Sequence, residues 1–476
     1  MNRYPEFKPV TPAIVDALRA ICGADAVVDG DEKLLEKYSH DEVPEKKYAR
    51  RPEVIVMPKD ADEVAGILKL ANRERIPVTP RAAGSGLSGG AVPVFGGILL
   101  SVERMNRIIE IDPRNLMAVV EPGVVTRQID QALRPHGLFF AGYPMSEEFC
   151  YIGGNVAENA GGGRAIKYGV TGRYIHGLDV VLPTGEKIFL GGKRVKDVTG
   201  YDLIHLMVGS EGTLGIFTRI VVRLLPRPQF RSAVLALFPD ARTAIAVVPE
   251  LMTAGGLIPT AVEFMDGFSF GEGARSLKLD LPLESTGAAL LIEVDGSNEA
   301  AVRAEGQIVL EMVRRHGAIH EQFGGTEAEI EAIWAVRKRI PWALKQMTPY
   351  QSIEDIVVPI AEIPDLIAAL VDIGRRFEVR IPVFGHAGDG NLHATPLKGE
   401  DQSVDQWEAM VPDLLAEIYR ETARRGGTIS GEHGIGHKRL KFMGQVMESA
   451  QLDVMRRIKA ALDPNGILNP GKIFNP

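Results

Sequence analysis

PRAAGSGLSGG, residues 80–90, follows the short apolar run IPVTPR and gathers glycine, serine and alanine into one turn. With small side chains at almost every position, backbone can approach a ligand closely. Successive N–H groups in such a loop form a nest for an anion such as a pyrophosphate. The pattern is not G-x-G-x-x-G opening a helix, so it does not announce the doubly wound dinucleotide fold. Alone, the loop reads equally well as a plain tight turn. Two further segments, IGGNVAENAGGGRAIKYG at 152–169 and GSEGTLGIFT at 209–218, are again rich in Gly, Asn and Ser. Each glycine adds unfolded-chain freedom that folding must overcome. Three such loops therefore point to one long, phosphate-bearing cofactor lying along all of them.

Around the first loop the pattern is strand, helix, strand: PEVIVMP from residue 52, ADEVAGILKLANRER at helical spacing, then IPVTPR. After it GILLSV, MNRIIEID and MAVVEPG read as short strands, and HGLDVVLPTGEKIFLG as a hairpin around Thr184 and Gly185. Residues 11–37 read as a helical lead-in, with Ile14, Leu18 and Ile21 on one face. PRPQF at 226–230 marks a boundary. Beyond it the strands AVLALF, TAVEFMD and GAALLIEVDG alternate with helices over ARTAIAVVPELMTAG and EAAVRAEGQIVLEMVRRHG, and further helices follow at 326–347, 363–376 and 405–425. The fold class is α+β, divided as 1–228, 229–425 and a C-terminal segment 426–476.

A chain of 476 residues suits two or three domains, and 45% apolar with 24% charged residues is the balance of a globular protein. A net charge of −8 and a pI near 5.8 argue against a nucleic-acid partner. Cys22 and Cys150 alone cannot build a disulfide framework or a Cys-rich zinc or iron–sulfur site, so any metal must rest on histidine and carboxylate. The opening MNRYPEFKPVTP carries no apolar leader, and no run of 18 apolar residues follows. The expected location is cytoplasmic, with peripheral membrane association through a partner left open.

In the second half, GHAGDGNLH places His386 and His393 across a Gly-Asp-Gly turn, and SGEHGIGH adds Glu432, His433 and His437. Each histidine alone reads as a hydrogen-bonded structural residue; together, in two short glycine-rich loops, they read as a site. Two imidazoles and a carboxylate suit zinc, manganese or iron(II) and leave coordination positions open for a substrate. WAVRKRIPWALK carries Arg337, Lys338, Arg339 and Lys345 on a helix, ordinarily just a solvated face. His40, beside Asp41, reads as part of a capped turn, and Cys150 as a small buried apolar residue.

These motifs together resemble the FAD-linked oxidases of the vanillyl-alcohol oxidase type, specifically the D-lactate, glycolate and D-2-hydroxyglutarate dehydrogenase group, over residues 38–474. The resemblance implies a two-part FAD-binding domain at 1–228, an α+β substrate (cap) domain at 229–425 carrying the metal-site loop, and a C-terminal helical segment returning to the flavin. It implies that Pro80, Arg81, Ala83, Gly84, Ser85, Gly86, Leu87 and Ser88 line the pyrophosphate. Gly153, Gly154, Asn155, Asn159, Gly161, Gly162 and Gly169 would run beside the isoalloxazine and ribityl chain. Glu211, Gly212 and Ile216 would meet the adenosine end, and Pro144 and Asn469 add further cofactor contacts. The first loop lacks the histidine that covalent relatives carry, so a non-covalent FAD is implied. Ahead of Ile152 relatives place a small serine where this chain has Phe149, Cys150 and Tyr151.

By the same resemblance His386, His393 and Glu432 map onto metal ligands, His433 onto the base and Arg337 onto the residue pairing the substrate carboxylate, with His437 outside the matched set. Where the D-2-hydroxyglutarate enzymes hold a second carboxylate with threonine and lysine, this chain has Pro341 and Ile353, which favours a short monocarboxylate. The implied reaction is oxidation of a small D-2-hydroxy acid. Its electrons would go to electron-transfer flavoprotein, a cytochrome, quinone or an iron–sulfur subunit, and a homodimer is compatible. The rival readings are a flavin-dependent synthase of the alkyl-dihydroxyacetone-phosphate type, a flavin-free metallohydrolase, and a non-catalytic electron-carrying subunit.

Overall fold

The computed structural model describes residues 6–475, so the opening MNRYP lies outside the described residues. The chain divides into two compact units. One comprises the residues up to Gly161, Val170–Pro226 and the residues from Glu432 onward; the other comprises Gly162–Gly169 and Arg227–Gly431.

In the first unit the strands Val54–Val56 and Val78–Arg81 both run parallel to Ile98–Ser101, which lies between them. The helix Ala61–Glu74 joins the two outer strands. Its N-cap Asp60 accepts from the N–H groups of Asp62 and Glu63, and Arg75 ends it in the left-handed conformation at φ 54°. Its Val64, Ile67, Leu68 and Ala71 pack with Val54, Val56, Val78, Ile98 and Leu100 in one core, each larger side chain contributing roughly 1.5–3 kcal/mol of burial. The glycine-rich loop leaves the carboxyl end of Val78–Arg81, the end of such sheets where ligands gather. A second, five-stranded antiparallel sheet runs in the order Ile108–Asp112, Met117–Val120, Ile216–Arg223, Ile175–Val181, Lys187–Gly191. Its last pair is the hairpin anticipated around Gly185, whose φ is +82°.

The helical lead-in over 11–37 needs correction. The chain forms helix Pro12–Cys22, a 3-10 turn Ala24–Ala26, strand Val27–Val28 and helix Glu32–Lys37. Gly23 and Gly30 take positive φ (85° and 74°), and the β-branched pair between them adds an edge strand against Ile55 and Val56.

The second unit is built on a seven-stranded antiparallel sheet, ordered His320–Gly324, Phe230–Phe238, Ala288–Gly296, Ala261–Asp266, Val383–His386, Asn391–Ala394, Glu354–Val357. Ala233, Leu235, Leu237, Leu291 and Met265 alternate onto one face, where they meet Ile330, Ile333, Trp334 and Ile340 of helix Glu327–Met347 and Phe270 of helix Gly267–Ser276. Thr326 and Glu329 close a capping box at the start of the longer helix. Gly162–Gly169 is clamped to this sheet: Lys167 Nζ donates to Asp295 Oδ1 at 2.6 Å, and the Tyr168 hydroxyl donates to both Asp295 oxygens at 2.9 Å.

Candidate active site

The first unit offers a cradle made of backbone. Among the described residues, the main-chain N–H groups of Ala83, Gly84, Ser85, Gly86 and Leu87 make no hydrogen bond within the chain. Gly84 has φ +72°, and a Cβ there would lie 2.0 Å from Arg81 Nη2. Arg81 runs beneath the loop, its Nη1 donating to the His40 carbonyl at 2.7 Å and its guanidinium 5.2 Å from the Tyr38 ring; burial lowers its pKa. Asp41 caps the adjoining turn, accepting from Val43 N at 3.2 Å and Gly89 N at 2.8 Å, and burial pushes its carboxyl up. Ser88 Oγ and Asn469 Oδ1 are buried polar atoms with no hydrogen-bond partner among the described residues. A run of unpaired donors beside orphaned hydroxyl and amide oxygens fits a ligand carrying a pyrophosphate and polar groups, as FAD does.

Other residues assigned to the cofactor have structural duties. Gly153 and Gly154 pass closely by Pro122 and Ala82, with a Cβ coming to 2.5 and 3.1 Å. Asn155 Nδ2 donates to Thr126 Oγ1 at 2.7 Å. Asn159, left-handed at φ 54°, accepts from Gly172 N at 2.8 Å. Gly169 has φ +81°, the Gly162 carbonyl accepts from Ala165 N, and that of Pro144 from Glu147 N. Gly212 abuts Pro80, whose Cγ would be 2.6 Å from a Cβ there, while Ile216 belongs to the apolar core. The Glu211 carboxylate is bound to the chain itself: it accepts from Ile435 N at 2.7 Å and Gly436 N at 2.6 Å, fixing the loop that carries His433. Burial raises the pKa of Glu211 and, well above the usual carboxyl range, that of Glu158. Burial also brings Lys472 down to about 7, against the opposing pull of Asp41, Glu211 and Glu158. Its Nζ donates to the Val92 carbonyl at 2.8 Å. His433 Nε2 lies 3.7 Å from Glu432 Oε1, and His437 Nδ1 lies 3.1 Å from the Gly471 carbonyl.

The second unit builds its site from side chains. GHAGDGNLH is a hairpin rather than a free loop: Val383–His386 pairs with Asn391–Ala394, with Phe384 opposite His393 and His386 opposite Asn391. Successive cross-strand pairs face alternate sides of a sheet, so His386 and His393, two positions apart in register, share a face; their ring centroids are 5.5 Å apart. The same register sets Glu263 opposite His386 and Asp355 opposite His393. Glu263 is wholly buried, with Oε1 at 2.5 Å from His386 Nδ1 and Oε2 at 2.6 Å from Arg337 Nε. Burial pushes the Glu263 carboxyl up, but His386 and Arg337 together outweigh it and bring it down to about 2. Arg337 is also buried, its guanidinium 4.9 Å from the Phe384 ring, and its two Nη groups make no hydrogen bond among the described residues. Asp355 accepts from Asn391 Nδ2 at 2.7 Å, Ser430 Oγ at 2.8 Å and Gly431 N at 2.9 Å. It thereby anchors the residue directly before Glu432.

Glu263 and Asp355 reach this cluster through strand register rather than through any local motif. The available signal was a lone acid inside an apolar strand, AVEFM, a position that burial tolerates only with partners.

The profile of the FAD-linked oxidase C-terminal domain matches residues 227–473, and that of an FAD binding domain matches residues 52–191. The chain belongs to the FAD-linked oxidases. It is 39% identical over 465 residues to a glycolate oxidase subunit of Bacillus subtilis, covering 98% of this chain and 97% of that one. It is 36% identical to a D-lactate dehydrogenase of Anaerostipes hadrus, covering 99% of each. The fold is that of p-cresol methylhydroxylase, a structure matched with a TM-score of 0.80 at 19% identity over 99% of both chains. This FAD-linked oxidase is therefore an oxidoreductase with the two-domain fold of the vanillyl-alcohol oxidase type. Among its described residues no helix is long and apolar enough to cross a membrane.

Proposed function

We propose that this FAD-linked oxidase oxidises a small D-2-hydroxy monocarboxylate, such as D-lactate or glycolate, to the 2-oxo acid. The observation that carries this reading is Arg337: a buried guanidinium held through Nε by Glu263, with both Nη groups left to form a fork for a carboxylate. The relatives named glycolate oxidase subunit and D-lactate dehydrogenase support it. The side chains of Pro341, one turn beyond Arg337, and of Ile353 carry no donor for a second carboxylate, which favours a monocarboxylate.

FAD, when bound without a covalent link along residues 80–90 and 152–169, supplies the acceptor for the substrate's hydride. His386, His393 and Glu432 would hold a divalent ion, zinc, manganese or iron, which supplies a Lewis acid for the substrate hydroxyl. The Glu263 contact at His386 Nδ1 fits that role, because metal-binding imidazoles usually give their other ring N–H to a carboxylate. His433 takes the hydroxyl proton on its imidazole, on a loop whose backbone Glu211 holds in place. The electrons then leave to a protein or quinone acceptor, with the enzyme in the cytoplasm or at the membrane surface through that partner.

The test is an anaerobic absorbance titration of the metal-replete protein with D- and L-lactate, glycolate and D-2-hydroxyglutarate. The expected result is loss of the flavin band near ~450 nm with D-lactate or glycolate and none with D-2-hydroxyglutarate. A flavin that only the dicarboxylate bleaches overturns the substrate assignment, and one that no hydroxy acid bleaches overturns the reaction class.

A further inference from the structure

The sheet register brings one buried carboxylate into contact with two groups that the proposed reaction uses for different tasks. Glu263 lies on the central strand Ala261–Asp266, wholly buried, with one oxygen on His386 Nδ1 at 2.5 Å and the other on Arg337 Nε at 2.6 Å. A carboxylate only accepts, so this geometry puts the imidazole proton on Nδ1 and makes Nε2 the ring nitrogen available as a ligand atom. On its other side, the bond at Nε fixes the guanidinium plane and turns the Nη edge toward whatever Arg337 binds. Even the neighbouring backbone is shaped around this carboxylate: a Cβ on Gly163 would lie 2.7 Å from Glu263 Oε1 and 3.6 Å from His386 Cε1. The segment holding Gly163 is itself fastened by Lys167 and Tyr168 to Asp295 on the adjacent strand Ala288–Gly296.

We propose that Glu263 is a shared positioning residue, which sets the His386 tautomer for metal binding and the Arg337 orientation for carboxylate binding. The inference rests on the functional reading above, and it adds that metal affinity and substrate affinity depend on the same buried group. Glutamine at this position keeps the shape but presents an N–H₂ and a carbonyl in place of two acceptor oxygens. If its carbonyl keeps Arg337, its amide faces His386 Nδ1, which must then give up its proton to Nε2 and stop being a ligand. If it keeps His386, Arg337 loses its partner. Either arrangement breaks one of the two contacts.

The experiment compares Glu263→Gln with Glu293→Gln by Zn²⁺ and Mn²⁺ titration against a competing chelator and by KM and kcat for the hydroxy acid. Glu293 is an equally buried glutamate on the next strand that holds Arg231 and Trp334 instead. FAD content and thermal melting establish that both variants are folded. Glu263→Gln should lose about 10–100-fold in metal affinity where its amide faces His386, or raise KM about tenfold or more where its amide faces Arg337, while Glu293→Gln stays near the parent in both. Unchanged metal affinity and unchanged KM in folded Glu263→Gln overturn the proposal, as do equal losses in the two variants. Should Glu263→Gln fail to fold, Gly163→Ala presses on the same carboxylate and is held to the same two readouts. A parent protein that takes up neither ion refutes the metal reading itself and the His386 half of this proposal with it. The KM arm then decides the Arg337 half, an unchanged KM overturning it.

Discussion

The candidate cofactor cradle and the candidate histidine site are built to one demand, ordered polar groups around a ligand, with opposite materials. At residues 83–87 the donors are backbone N–H groups on a loop of small residues, and neighbours such as Arg81 and Asp41 hold the loop from beneath. In the second unit the donors and acceptors are side chains, each brought in by a different strand or helix: Glu263, His386, His393, Asp355 and Arg337. A backbone cradle depends on what is absent, because a Cβ added at Gly84 would run into Arg81. A side-chain site depends on register, because a slip of one residue turns each imidazole to the other face of the sheet. Substitutions should therefore fail differently in the two places, through shape in the first and through chemistry in the second.

The largest effect should come from a residue whose loss leaves both frameworks standing. Glu211 holds the backbone of Ile435 and Gly436 rather than the His433 ring, so His433→Ala should keep the loop and the FAD. Flavin reduction in anaerobic stopped-flow should slow by about 10²–10⁴-fold, with cofactor content unchanged; normal bleaching removes His433 from the mechanism. Next comes Arg337→Lys, which preserves the charge and discards the fork. A charge-assisted hydrogen bond contributes roughly 1.5–3 kcal/mol, so kcat/KM for the hydroxy acid should drop by about 10–100-fold, mostly through KM. An unaltered KM shows that the substrate carboxylate is bound elsewhere.

The same contrast explains what the sequence reveals. A backbone cradle advertises itself as local composition, and the run at 80–90, a plain turn or a cradle when taken alone, reads as a cradle beside the glycine-rich runs at 152–169 and 209–218. Long amphipathic helices are equally legible: those anticipated at 326–347, 363–376 and 405–425 are Glu327–Met347, Ile363–Arg376 and Val404–Arg424. The side-chain site is only half visible. His386 and His393 stand out through their glycine-rich context, although that context belongs to a hairpin of short strands too polar to show strand periodicity. Glu263 and Asp355 reach the site solely through pairing between strands far apart in the chain, which no local pattern encodes. Residues 11–37 fail for a related reason: Val27 and Val28 gain more from pairing with Ile55 and Val56 than from extending a helix across two glycines.

Gly84→Ala tests the cradle directly. Its φ of +72° is strained for any L side chain, and the new Cβ would meet Arg81 Nη2 at 2.0 Å. FAD affinity should fall by about tenfold, the equivalent of the 1–2 kcal/mol of left-handed strain, while metal uptake holds at the parent's value. A parallel loss of metal would show that the two sites are not independent in the way their construction suggests.

The smallest effect concerns the buried charges behind the cradle. Lys472 titrates near 7 in the folded chain because burial disfavours its charge, despite Asp41, Glu211 and Glu158. In the unfolded chain it titrates near ~10.4. Between these values the unfolded state holds a proton that the folded state has released, so stability attributable to this group rises with pH across that window. Below pH 7 both states are protonated and the full burial penalty is felt. Lys472→Met removes the dependence. The melting temperature of the parent should gain on that of the variant as pH is raised from 7 toward 10, by roughly 1–2 °C for each kcal/mol recovered. A constant difference would mean that Lys472 keeps its proton inside the fold, the nearby carboxylates acting as a true counter-charge rather than as neutral acids. The cradle would then rest on an ion cluster, and its floor would resemble the side-chain site more than the backbone loop above it.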